Sequence, residues 1–196
     1  MDIGGDRYRT VGGVHQVPLG GVSGALMLCG LDAIGPDPEA LLDHVGAQTV
    51  VCLQTDAEIS RRFPDYLAWL RLPAPAEVMR APIEDHLVID DRDMASLVRA
   101  IVRRLGRGEG VVVHCGAGWG RAGLVAALVL VAYGSGVDDA LARVRAARPA
   151  AGPQSVDQND QLTRLAAVLH AERSVSDEEA AVRRAADRRD PTRRNV

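Results

Sequence analysis

The segment Val111-Val-Val-His114-Cys115-Gly-Ala-Gly-Trp-Gly-Arg121 joins an apolar run, a cysteine, five Gly-rich residues and an arginine that opens a helix. Glycines at 116, 118 and 120 permit backbone conformations that turn successive N–H groups inward. Gly116, Ala117, Gly118, Trp119 and Gly120 are therefore expected to form an anion nest at a helix N-terminus, of a size and charge that suit a phosphate. The same positive field favours a thiolate at Cys115, which sits beside both the helix dipole and a guanidinium. Arg121 offers a planar, permanently charged fork for two phosphoryl oxygens, which an ammonium group cannot copy. The chemistry implied is attack of sulfur on a phosphoester. Without that chemistry Cys115 is a small buried hydrophobe under a glycine turn, and packing supplies no reason for its spacing to Arg121.

His114-Cys115-x5-Arg121 resembles the signature of the cysteine-dependent protein-tyrosine phosphatase superfamily, and Ala117-Gly-Trp-Gly-Arg121 is most similar to its dual-specificity branch. The resemblance extends from about Pro18 to His170. It implies phosphoryl transfer to Cys115, hydrolysis of the cysteinyl phosphate by water, and no metal or cofactor. A rhodanese-like sulfur carrier also places a cysteine loop before a helix, but its loop length matches poorly.

The resemblance implies further residues. A general acid is needed for a poor leaving group, and in this family an aspartate about thirty residues before the cysteine, often after Pro-Ile, supplies it. Pro82-Ile83-Glu84-Asp85 fits, so Asp85 is the expected acid, with Glu84 and Asp90 as alternatives. Gly152-Pro153-Gln154-Ser-Val-Asp-Gln158 resembles the family's glutamine loop, making Gln154 the expected water-positioning residue and Gln158 a second candidate. Ser155-x-x-Gln158 is equally a capping box. His114 is expected to hydrogen-bond the loop from behind rather than to shuttle a proton, because strand parity turns it away from the Cys115 side chain. Trp119 either lines the mouth or covers the loop edge. Ala122 stands where the commonest pattern has Ser or Thr, whose hydroxyl assists the departing thiolate, so a slow second step is expected. Cys52, on a neighbouring strand, offers a redox partner for Cys115 or is an inert core residue.

The implied substrate is a phosphorylated protein or small phosphoester. An inositol phosphate, phosphoinositide or nucleotide is the alternative, although the loop lacks the lysine of related phosphoinositide phosphatases. A phosphate-binding module with little turnover is the reading from a different class.

The elements that must position these residues alternate between the two periodicities. Ala25 to Cys29, Thr49 to Leu53, Val78 to Ile83 and Val111 to His114 read as strands bounded by turns. Asp37-Pro38 is an N-cap followed by Pro at the first helical position, opening a helix to about Val45 that Gly46 ends. Thr55-Asp-Ala-Glu58 is a capping box starting another helix. Met94, Leu97, Val98, Ile101, Val102 and Leu105 mark one face of an amphipathic helix, with Asp91 as its expected N-cap. A helix from Arg121 to Tyr133 is apolar all round and must be buried, and helices over Val137 to Arg148 and Ser155 to His170 follow. The fold class is α/β, a central mostly parallel sheet flanked by helices, with the phosphate loop between a strand and the buried helix.

The 196 residues suit one domain, expected at 18–170 between a lead (1–17) and a charged tail (171–196) that is frayed or singly helical. With 47% hydrophobic but only 3% aromatic residues, the core must be built from Val, Leu, Ile and Ala. The net charge of -3 gives no footprint of a nucleic-acid or anionic-membrane binder. All 23 positive residues are Arg, a compositional bias rather than a functional mark. Cys29, Cys52 and Cys115 lack paired spacing for zinc or a disulfide framework, and His15, His44, His86 and His170 lack ligand spacing. The polar start from Met1 to Thr10 carries no signal-peptide pattern and the longest apolar run is too short for a membrane span, so a cytoplasmic setting is expected.

Overall fold

The computed structural model describes residues 13–72 and 76–189. Most of the expected lead, the stretch searched for a signal peptide and the last residues of the tail lie outside that range. Five strands form one sheet in the order β1-β2-β5-β3-β4. They are β1 His15–Val17, β2 Ala25–Gly30, β3 Thr49–Cys52, β4 Glu77–Arg80 and β5 Gly110–Cys115. Only β1 runs antiparallel, pairing with β2 at the edge. The other neighbours are parallel, which places β5 centrally between β2 and β3. Continuous apolar runs form these inner strands because both sheet faces are covered.

Helices α1 Leu31–Ile34, α2 Pro38–Val45, α3 Asp56–Ser60 and α4 Pro64–Trp69 cover one face. They pack with Met27, Cys29, Val50, Cys52 and Val112 in one apolar layer. Helices α5 Asp91–Gly106, α6 Gly120–Ala132, α7 Val137–Ala147 and α8 Val156–Arg189 belong to the other. There Leu26, Leu28, Val51, Val111, Val113 and Cys115 meet the buried faces of α5, α6 and α8. Residues Gly120 to Val131 are all buried, which explains the absence of a polar face on α6.

The local signals act as their chemistry requires. Asp37 Oδ1 accepts from Ala40 N at 3.0 Å, and Gly46 closes α2 in the left-handed region at φ 64°. The N-cap of α5 is Asp90, whose Oδ1 accepts from Arg92 N at 2.8 Å, and not Asp91. Asp91 is drawn instead into pairing with Arg164, 2.8 Å away on α8. The last helix does not stop near His170: α8 continues through the expected tail to Arg189, and a fork-to-fork contact between Arg99 and Glu172 docks it on α5 beyond that point. Among the described residues no helix is long and apolar enough to cross a membrane.

Candidate active site

Strand β5 delivers His114 and Cys115 to the carboxyl edge of the sheet, where ligands of open parallel sheets bind. The loop to α6 is held from outside, carbonyl by carbonyl. Gly116 O accepts from Leu31 N at 2.8 Å, at the start of α1. Ala117 O and Gly118 O accept from Arg148 Nη2 at 2.6 Å and Nε at 2.9 Å. Trp119 O accepts from Gly123 N at 2.8 Å and Gly152 N at 3.2 Å. With four successive carbonyls turned outward, the loop's N–H groups are left for a ligand at the N-terminus of α6. Gly118 has φ 73°, and a Cβ there would run into the Cys29 carbonyl of β2, so the turn needs glycine on two counts.

A pocket of about 590 Å³ opens over this loop, lined by Asp85, His86, Cys115, Gly116, Ala117, Trp119, Gly120, Arg121 and Gln154. The expected nucleophile, arginine, acid and water-positioning residue therefore share one cavity. Trp119 is 42% exposed and stands on its rim. Glu84 and Asp90, the alternative acids, do not line it. Asp85 is exposed and its Oδ1 lies 3.2 Å from Arg121 Nη2.

Arg121 itself is 3% exposed. Its Nη1 and Nη2 donate to the two oxygens of Glu58 at 2.9 and 2.8 Å, and Nη1 also donates to Ile83 O at 2.6 Å. Burial, the largest single effect, disfavours the Arg121 charge, but the hydrogen bonds to Glu58 together with the negative groups Cys115, Glu58 and Asp85 leave its pKa raised. Glu58 responds in kind: desolvation acts upward, yet Arg121 and Thr55 together leave its carboxyl below the usual range. The Nε of Arg121 is buried and has no hydrogen-bond partner among the described residues.

Gln158 is buried beneath the pocket and fully committed: Oε1 accepts from Gln154 N at 2.9 Å, and Nε2 donates to Leu87 O at 3.2 Å. It joins the glutamine loop to the loop bearing Asp85. Its N–H also donates to Ser155 Oγ at 3.2 Å, which is one half of the expected capping box; the reciprocal bond from Ser155 N is replaced by the one from Gln154 N. One helical turn on, Gln161 Nε2 donates to Ile89 O at 2.6 Å and Asp91 Oδ1 at 2.9 Å, so α8 grips both halves of the acid loop. His86, next to the acid, takes a left-handed φ of 63° at the turn.

His114 faces the opposite layer from Cys115. Its ring Nε2 lies 2.7 Å from the Tyr66 hydroxyl of α4, and the backbone of Cys115, where the loop begins, also bonds to the imidazole. Burial pushes its pKa down to about 3, which keeps the imidazole neutral. Cys52 and Cys29 occupy this same layer, and burial raises the Cys52 thiol to about 11. Ala122 is fully buried in the first turn of α6. Among the described residues no cluster of His, Cys, Asp and Glu is arranged to hold a metal ion.

Two site residues were not found by sequence reasoning. Glu58 was legible only as half of a capping box, and Arg148 only as the end of a helix before Pro149. Neither carries a local signal for its long-range partner.

A family model described as PTP-SAK, a Swiss Army Knife protein, DSP-PTPase phosphatase domain, matches residues 22–182. No curated protein sequence matches. Among solved structures, Tk-PTP in its active form is 26% identical with a TM-score of 0.59, covering 78% of this chain and 96% of that one. Kinase associated phosphatase, with its catalytic-site cysteine replaced by serine, is 20% identical with a TM-score of 0.67, covering 83% and 98%. Human DUSP28 is 21% identical with a TM-score of 0.59, covering 79% and 94%. The last two likenesses are of fold.

Proposed function

The chain belongs to the PTP-SAK family of DSP-PTPase phosphatase domains, and from that premise we propose that it hydrolyses monophosphate esters of aromatic hydroxyls, phosphotyrosine in a protein above all. It is a cysteine-based, metal-independent phosphatase. The observation that carries the substrate reading is the lining of the pocket. Among the described residues Arg121 is the one arginine or lysine lining it, and the exposed Trp119 forms an apolar wall at the rim. One permanent cation suits one phosphoryl group, whereas an inositol polyphosphate needs several. A tryptophan face favours an aryl ester.

The roles proposed are these. Phosphoryl oxygens take the inward N–H groups from Gly116 to Gly120, and Arg121 donates from its free Nε and from Nη2. Because Nη2 now contacts Asp85, an incoming phosphate displaces that carboxylate, which takes up a proton from solvent once off the guanidinium and gives it to the leaving oxygen. Sulfur of Cys115 forms the S–P bond as the ester P–O bond breaks. Gln154, facing the same pocket, then orients a water whose proton passes to Asp85 while its oxygen attacks phosphorus and the S–P bond breaks. Gln158 positions both loops. We further propose residues 18–170 as the catalytic domain with 171–196 as its extension, and a cytoplasmic setting, which suits the three free thiols.

The test is steady-state turnover, with chelator present, of phosphotyrosine peptides, phosphoserine peptides, inositol phosphates and nucleotides. Phosphotyrosine peptides should be cleaved best. Cys115→Ser and Arg121→Lys should each abolish turnover, the first by losing the thiolate and the second by losing the fork. Activity within about tenfold of the parent in either variant contradicts the mechanism.

A further inference from the structure

Arg148 follows α7 and is 3% exposed, yet among the described residues no carboxylate reaches it. A buried cation ordinarily takes an acid as partner, because neutral acceptors alone compensate desolvation poorly. Here every acceptor is neutral. Nη1 donates to Gly13 O at 2.6 Å and lies 2.6 Å from His15 Nδ1, which ties the guanidinium to the edge strand β1. That contact makes His15 Nδ1 an acceptor and places the imidazole proton on Nε2. The opposite edge, Nε and Nη2, holds Gly118 O and Ala117 O.

The consequence follows from peptide planarity. Within one peptide unit the C=O and N–H point in opposite directions. Drawing Ala117 O and Gly118 O onto Arg148 therefore turns the N–H groups of Gly118 and Trp119 away from it, toward the pocket. Gly118 permits the approach, since a Cβ there would stand 3.0 Å from Arg148 Nε. Electrostatically, the groups that favour the charge of Arg148 are the thiols of Cys29 and Cys115, while burial, the larger effect, disfavours it.

We propose that Arg148 is a positioning residue of the phosphate loop: it fixes two consecutive peptide units with their N–H groups aimed at the phosphoryl group, and the bound anion serves as the counter-charge it otherwise lacks. The inference rests on the reading of this loop as the phosphate site. Coupling of this kind is reciprocal, so phosphate must stabilise the fold more strongly when Arg148 is present.

The probe is inorganic phosphate, used with the full chain. Its inhibition constant against an aryl phosphate and the melting shift it produces are measured for the parent, Arg148→Met and Arg148→Lys. Arg148→Met should weaken phosphate inhibition by about tenfold or more and reduce the shift. Arg148→Lys, keeping the charge but not the fork, should fall between the two. A purely structural role would lower the melting temperature of both variants and leave the inhibition constant of the folded protein within about twofold of the parent; that result overturns the proposal. Should Arg148→Met not fold, Arg148→Lys decides by the same comparison. Cys115→Ser separates the two readings. If it still turns over substrate, the phosphatase reading of the site fails, whereas a dead Cys115→Ser beside unchanged phosphate affinity in the Arg148 variants sinks this inference alone.

Discussion

Glu58 and Arg121 face each other as a two-point pair, 2.8 and 2.9 Å apart, between the first turns of α3 and α6. One oxygen of that carboxylate also accepts from Thr55 N at 3.0 Å. A helix cap and the orientation of the phosphate-binding arginine thus depend on the same group. Glu58→Gln keeps the size but supplies an N–H where Arg121 needs an acceptor. It should lower kcat/KM by about tenfold or more, since a fork held in one orientation loses its preorganisation. The Glu58 carboxyl titrates below its ordinary value in the folded state. Its contribution to stability is accordingly full above the unfolded value, near pH 4.5, and is lost as pH falls through the folded value. Glu58→Gln should remove that part of the acid-side loss, as read by melting temperature against pH.

The exposed Asp85 and the buried Gln161 should act on the same step. Asp85→Asn should cost roughly 10² to 10⁴ in kcat on a phosphotyrosine peptide but far less on a nitrophenyl ester, whose leaving group hardly needs a proton. Gln161→Leu releases Ile89 O from α8 and leaves Asp91 held there by Arg164 alone. It should show the same dependence on leaving group with a smaller amplitude. Equal losses on both substrates in Asp85→Asn would make the residue structural and turn attention to Glu84 and Asp90.

At Ala122 no hydroxyl is available to the departing sulfur, so the cysteinyl phosphate should accumulate and the first turnover should appear as a burst in rapid-quench kinetics. Ala122→Ser should raise kcat several-fold to about tenfold and shrink the burst, one charge-assisted hydrogen bond being worth on the order of 1 to 2 kcal/mol. An unchanged kcat with no burst in the parent would mean that hydrolysis of the intermediate is not limiting.

His114 should not titrate between pH 5 and 8 by NMR, because burial holds its pKa at about 3. The unfolded chain takes up that proton near pH 6.5. Stability from this residue is therefore complete above about 6.5 and falls as pH drops toward the folded value. Tyr66→Phe removes the hydrogen-bond partner at Nε2 and should lower the melting temperature without changing the leaving-group dependence.

The pattern of residues by itself determined the strands and helices with strong local signals, and with them the phosphate loop. Asp37, Pro38 and Gly46 bound α2 because capping is decided within four residues of chain. Cys115 and Arg121 were legible for a similar reason: one loop and one helix start hold both, so their spacing is their geometry. The unbroken apolar run of α6 likewise fixed its burial before any neighbour was known.

Only the tertiary structure decided which distant side chains complete the site. Placing β5 between β2 and β3 brings α3, with Glu58, beside Arg121, and brings Arg148 from the end of α7 beneath the phosphate loop. Gln158 looked like half of a capping box, and its N–H does bond Ser155 Oγ, yet its side chain spans two loops whose approach no local pattern encodes. At the start of α5 two adjacent aspartates competed for one cap. Asp90 took it because Asp91 is held across space by Gln161 and Arg164 of α8. Local hydrogen bonds are fixed by the order of residues along the chain, whereas these longer ones are fixed by strand order and helix packing, which bring together residues far apart in that order.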